Sequence, residues 1–142
     1  MTTKIAVISL LTLFVGACGN VLGTDTYTAT LSCGGGCDHE PSADGMGVAF
    51  VDPVTGQVEI EVSGLPRLDG EVYEGWLAGG YILGGPIATG RFNTDENGDG
   101  SSSIFLGDIT ERTWDTVVLT VEPEPDPSPD PDPRHSIGGD LE

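Results

Sequence analysis

Two cysteines frame three glycines in "CGGGCDHE", the stretch from Cys33 to Glu40. Residues of these types at this spacing support two chemistries. Cys33 and Cys37 can join as a disulfide, since the glycines between them supply the flexibility a small ring needs. Alternatively Cys33, Cys37, His39 and Asp38 offer sulfur, nitrogen and oxygen ligands to zinc or copper. A second constellation is "DENGDG", in which Asp95, Asn97 and Asp99 alternate and Gly100 follows. Oxygen ligands at the first, third and fifth positions with glycine at the sixth open a calcium-loop pattern. The bidentate glutamate expected at the twelfth position is replaced by Leu106. The competing reading is a polar hairpin tip built on Asn-Gly and Asp-Gly pairs. Catalytic patterns are scarce. The two histidines, His39 and His135, stand in polar or proline-rich surroundings, and no Gly-x-Ser-x-Gly, metalloprotease helix or phosphate loop occurs.

The N-terminus decides between some of these. "MTTKIAVISLLTLFVGAC" carries Lys4, then an apolar run from Ile5 to Val15. That run is too short to span a bilayer and suits the hydrophobic region of a secretory signal. Val15-Gly16-Ala17-Cys18 resembles a bacterial lipobox. The resemblance implies that residues 1–17 are removed and that Cys18 becomes an acylated N-terminus holding the protein on a membrane. The alternative is ordinary cleavage near Ala17. Gly19 rather than an acidic residue follows the cysteine, which resembles the outer-membrane sorting default of a two-membraned bacterium. Outside the cytoplasm neighbouring cysteines usually pair, which favours the Cys33–Cys37 disulfide over the metal.

After residue 17 the basic side chains besides histidine are Arg67, Arg91, Arg112 and Arg134, against 23 acidic residues. Such a chain lacks the basic face that nucleic acid requires. Its charge favours a soluble monomer and suits a salty or calcium-containing milieu.

The elements that must position these groups are short strands with glycine or proline between them. "TYTATL", "GVAFV", "QVEIEV", "EVYEGWL", "PIATGRFNT", "SIFLG" and "TVVLTVE" each read as one. "GVAFV" is apolar on both faces and reads as a central strand. In "QVEIEV" Val58, Ile60 and Val62 face a core while Glu59 and Glu61 face water. In "EVYEGWL" Tyr73, Gly75 and Leu77 share one face, and Glu74 and Trp76 the other. Asp108 to Trp114 has the makings of one helical turn capped by Asp108. The pattern predicts an all-β domain over residues 26–142, a small antiparallel β-sandwich or open barrel of seven to eight strands, after a short tether over 18–25. The acidic proline-rich segment 122–134 is extended, since proline can neither donate to a ladder nor follow a helical residue. Beyond it, either a disordered tail or a short edge strand near His135–Ile137 fits "HSIGGDLE". Aromatics fill small cores, which accounts for Phe92 and Trp114. Trp76 and Tyr81, the latter in the Gly79–Gly85 loop, are the candidate contact surface. Tyr73 and Leu77 are expected in the core, and the Pro123–Pro133 loop is expected to cover Trp76 in part, since prolines pack well on aromatic faces.

One family shares these features. Gly64-Leu65-Pro66, Tyr73 with Trp76-Leu77, Gly85-Pro86, Gly90-Arg91-Phe92 and the Asp95–Gly100 hairpin resemble the extracytoplasmic C-terminal domain of anti-sigma-K factors. "VVLTVEPEPDPSPDPDP" is similar to that family's last strands and their Gly/Pro-rich connection. The resemblance covers Gly47 to Leu141. The N-terminal half, "YTATLS" through "GVAFVDPVTGQVEIEVSGL", is also similar to chordin-type repeat domains. Anti-sigma-K factors hold their sigma factor with a cytoplasmic domain joined through a membrane helix, and this sequence shows neither. The resemblance therefore implies only the outer domain: a lipid-anchored binding, sensing or structural module with an unknown protein partner and no catalytic residues. A calcium-dependent envelope or adhesion module and an unrecognised hydrolase are the alternatives.

Overall fold

The computed structural model describes residues 26–34, 37, 44–79 and 84–142. Within them the chain forms β1 (Tyr27–Ser32), β2 (Met46–Asp52), β3 (Gln57–Ser63), β4 (Glu71–Ala78), β5 (Ile87–Phe92), β6 (Gly100–Phe105), β7 (Thr116–Pro123) and β8 (His135–Asp140). Every pairing is antiparallel, in one sheet ordered β5-β4-β7-β8-β1-β2-β3-β6. The edge strands β5 and β6 lie side by side, so the sheet curls into a nearly closed barrel. The two layers expected of a sandwich are the two halves of this sheet. They meet at the β8–β1 seam, where one residue pair, Ser32 with Gly138, is in register.

The alternation read from "QVEIEV" holds. Val58, Ile60 and Val62 are buried and Glu59 and Glu61 exposed. Ala29 and Leu31 of β1 and Val117, Leu119 and Val121 of β7 complete the interior with Tyr73 and Leu77. The halves approach closely at Gly75, where a Cβ would lie 2.6 Å from an Ile60 methyl and 2.4 Å from the Thr89 hydroxyl. Only glycine fits there. The β2–β3 turn is set by Asp52, whose carboxylate accepts the amides of Val54 and Thr55. Gly56 follows at φ 72°, and a Cβ on it would strike the Gly107 backbone at 1.8 Å.

Several details differ from the sequence reading. β2 is not covered on both faces, for Phe50 is exposed. The strands buried on both faces are β4, from Tyr73 to Leu77, and β7, from Leu119 to Glu122. Asp108 to Trp114 forms a turn rather than a helix. The Asp108 carboxylate takes the amide and hydroxyl of Thr110, and the Ile109 amide is drawn to Pro53 O at 2.9 Å. Of the two readings of the C-terminus, the strand is correct, but β8 is interior rather than an edge, lying between β7 and β1.

Candidate functional site

The outer face of β4 and β7 should meet water, yet it is buried. Register places Glu74 opposite Thr120 and Val72 opposite Glu122. Glu74, Trp76, Thr120 and Glu122 thus share that face. The segment after β7 folds back along it. Its near end is fixed by the Arg91 guanidinium, which donates to Pro123 O at 2.9 Å, and by the Glu124 amide on Gly70 O. At its far end Arg134 donates to Glu71 and Asp132. The hydrogen bonds that the guanidinium donates to Asp132 and Glu71 raise the Arg134 pKa above its usual value. The acidic proline-rich stretch is therefore a pinned strap, not a loose tail.

Under the strap three carboxylates converge. Oxygens of Glu74, Glu122 and Asp126 all lie within 4.8 Å of one another. Glu74 is 7 % exposed and Glu122 1 %. Glu122 accepts the Thr120 hydroxyl and the Asp132 amide, the latter at 2.8 Å. Glu74 has the Arg91 guanidinium 3.7 Å away. Burial is the main cause pushing the Glu74 carboxyl above its ordinary range; Arg91 pulls it down, and Glu122, Asp126 and Glu124 add to the rise. Oxygens so arranged share a proton or accept a hard cation.

A second concave region lies along the β8–β1 seam, a cleft of about 300 Å³ lined by Ser32, Cys37, Thr116, His135, Gly138 and Asp140 among others. It contains a histidine, an aspartate and hydroxyls, the ingredients of hydrolysis. Register keeps them apart: His135 stands opposite Thr120 and Asp140 opposite Thr116. Five residues of extended strand separate them by roughly 16 Å. Ser136 is buried. No acid–base relay between His135 and Asp140 follows from this geometry.

A third cleft, about 350 Å³, opens at the barrel end where β1 begins. Tyr27, Val54 and Trp114 line it, with Arg112 over the Trp114 ring at 5.5 Å. The Trp114 indole donates to Ile109 O at 3.1 Å, so this tryptophan is a core residue as its type suggests.

Cys33 and Cys37 are joined, their Cα atoms 5.2 Å apart. Asp95 accepts the amides of Asn97 and Asp99 at 2.8 and 3.0 Å and closes a tight tip; the Asp99 amide is the main cause holding its carboxyl below the ordinary range. This tip docks on the Gly64-Leu65 loop through Leu65 N on Gly98 O. Trp76, expected as a contact residue, is 4 % exposed and so presents no surface to a partner. Its indole donates to Thr120 Oγ1. Cys18, Asp38, His39 and Tyr81 lie outside the described residues. Sequence reasoning missed Glu74, Glu122 and Asp126 as a group. Alternation sends Glu74 to solvent, and composition assigns Glu122 to the proline segment. Only the β4–β7 register and the returning strap bring them together.

Neither a family model, nor a curated protein, nor a solved structure matches this chain.

Proposed function

We propose that this chain is an extracytoplasmic module of the bacterial envelope, anchored through acylated Cys18 and serving to bind, sense or support rather than to catalyse. The observation that carries the reading is the Cys33–Cys37 bond. A bond of this kind persists outside the reducing cytoplasm, and the apolar leader ending in Val-Gly-Ala-Cys points the same way.

The resemblance to the outer domain of anti-sigma-K factors adds support of a structural kind. The residues that carry it contact one another. The Tyr73 hydroxyl donates to Pro66 O at 2.7 Å, the Tyr73 and Phe92 rings are 5.9 Å apart, and the Leu65 amide reaches Gly98 O. These motifs maintain one end of a barrel. The role we propose for the chain is that of such an outer domain alone, acting on an unknown protein partner and not on a sigma factor.

Mass spectrometry of the membrane fraction tests the proposal. The expected species begins at a lipid-modified Cys18. A soluble protein with an unmodified thiol at that position would end the lipid-anchor reading.

The calcium-dependent alternative draws on the convergence of Glu74, Glu122 and Asp126. Calcium takes about six to eight oxygens, so three carboxylates would leave the shell to backbone and water. A melting temperature that rises with added calcium and falls back with chelator, in a manner lost in Glu122→Gln, would favour it.

A further inference from the structure

Among the described residues, four of the five exposed large hydrophobic side chains lie toward one end of the barrel: Tyr27 (37 % exposed), Phe50 (39 %), Val54 (51 %) and Phe105 (68 %); Met46 is at the other. Their segments are joined to each other. Tyr27 begins β1 opposite Val51, and the chain turns through Val54 two residues beyond Asp52. Phe105 ends β6 opposite Gln57, and the next residue, Leu106, donates to Gly56 O at 2.8 Å. Tyr27 extends the inward register of Ala29 and Leu31 past the barrel mouth, where it lines a cleft with Val54 and Trp114. The result is a rim of aromatic and branched side chains that stay exposed among the described residues.

The sequence says what faces it. Cys18 precedes Thr26 by eight residues. Eight residues reach at most about 28 Å when fully extended. The tether attaches at this rim, and the opposite end is roughly 20 Å farther along the strands. The same polarity appears in the charges. Arg67, Arg91 and Arg134, with the acidic strap they border, belong to the far end. Arg112 is the arginine at the rim, held over Trp114 with its guanidinium on Gly85 O at 3.2 Å. Asp108, Glu111 and Glu142 also lie at the rim, so an anionic surface would repel it and a zwitterionic one would not.

We propose that the barrel end bearing Tyr27, Val54 and Phe105 rests on the zwitterionic headgroup layer of the membrane that holds Cys18. This rests on the lipid-anchor reading above. The aromatic rings and Val54 settle at the interface, where amphipathic and apolar side chains are favoured. The tether holds the rim in place, and the strap and the Asp95 hairpin tip face outward, free for a partner.

The test uses the full acylated chain in phosphatidylcholine nanodiscs that contain a headgroup-spin-labelled lipid. Flotation with lipid reports the anchor; loss of amide signals by NMR reports orientation. The expected result is flotation with signals lost at residues 54–56 and 105–107 and retained at 64, 65, 67 and 95–99. A triple variant, Tyr27→Ser with Val54→Ser and Phe105→Ser, alters exposed positions only. It should still float, and the difference between the two ends should vanish. Flotation of the native chain with even loss, or with loss at 64, 65, 67 and 95–99, overturns the rim proposal while the anchor stands. So does a triple variant that keeps the native pattern. Absence of flotation together with an unmodified Cys18 overturns both.

Discussion

The Trp76 indole donates to the hydroxyl of Thr120 at 2.8 Å across the β4–β7 pair, with both side chains buried. The Thr120 hydroxyl in turn donates to Glu122, which also receives the Asp132 amide. One threonine thus links the sheet to the strap. Thr120→Val keeps shape and burial but leaves an indole donor without its acceptor and a carboxylate with one donor fewer. Leaving a buried group unsatisfied costs about 1–3 kcal/mol. Urea unfolding should show a loss of that size. Trp76→Phe, which removes the orphaned donor, should lessen the further loss in the double variant. Additive effects of the two substitutions would deny the link.

Much of this barrel is legible from alternation. Val58, Ile60 and Val62 point inward for the reason their spacing gives, and the Asp52–Gly56 turn follows from its residue types. β4 is not legible in that way. Its period-two pattern is real, with Tyr73 and Leu77 inside, but the opposite face is covered by a strap more than forty residues away in sequence. The aromatic Trp76 on that face is the sign that a proline-rich cover is expected there. The candidate carboxylate site is hidden for the same reason, because it exists only once that strap returns. A strand near His135–Ile137 is legible as one of two readings, but the interior place of β8 and its extension to Asp140 are hidden by its glycines. Gly139 is obliged to be small, since a Cβ would lie 2.1 Å from Thr30 O, and a glycine-rich stretch reads as loop until its neighbours are known.

Burial raises the Glu74 carboxyl above its usual range. A carboxyl raised on folding binds more protons in the folded state than in the unfolded one. Stability from this group is therefore present at low pH and declines as pH rises from the ordinary carboxylate range through the folded value. Asp52, Asp95 and Asp108 act oppositely. The Thr55 hydroxyl, the Asp99 amide and the Thr110 hydroxyl, respectively, are the main causes that hold them low. Their contribution is lost only as pH falls below the ordinary carboxylate range. Chemical denaturation across mildly acidic to neutral pH should give a stability that falls less steeply with rising pH in Glu74→Gln than in the native chain. Parallel profiles would show that Glu74 is not linked to folding.

Cys33 and Cys37 close a ring of a few residues, the small end of what a cross-link contributes. The chain-entropy relation gives about 2 kcal/mol for a loop of this length. Thiol labelling of the unfolded protein without reductant should find neither cysteine free. Cys33→Ser with Cys37→Ser should lower the unfolding free energy by about that amount and leave the barrel folded. Labelling of both cysteines, or stoichiometric zinc on the native protein, would replace the disulfide by the metal reading.

The last strand gives the sharpest test of the architecture. β8 lies between β7 and β1, with Ser136 and Ile137 buried and Thr116 donating its hydroxyl to Gly139 O at 2.8 Å. Removing it would leave β7 and β1 with unpaired edges and cut the sheet where its two halves join. An isolated edge strand could be trimmed at modest cost; an interior one cannot, because each lost ladder bond strands a buried backbone group. A chain ending after Arg134 should therefore fail to give a cooperative thermal transition by circular dichroism. The strap makes the contrasting control. Pro127 to Asp130 are exposed, and their backbone is tied only through Asp126 and Ser128. Replacing residues 127–130 by a glycine-serine segment of equal length leaves the Arg91 and Arg134 anchors in place. That variant should melt cooperatively, within a few degrees of the native chain. If the truncated chain melts like the native one, β8 does not join the two halves, and the closed arrangement of the sheet is wrong.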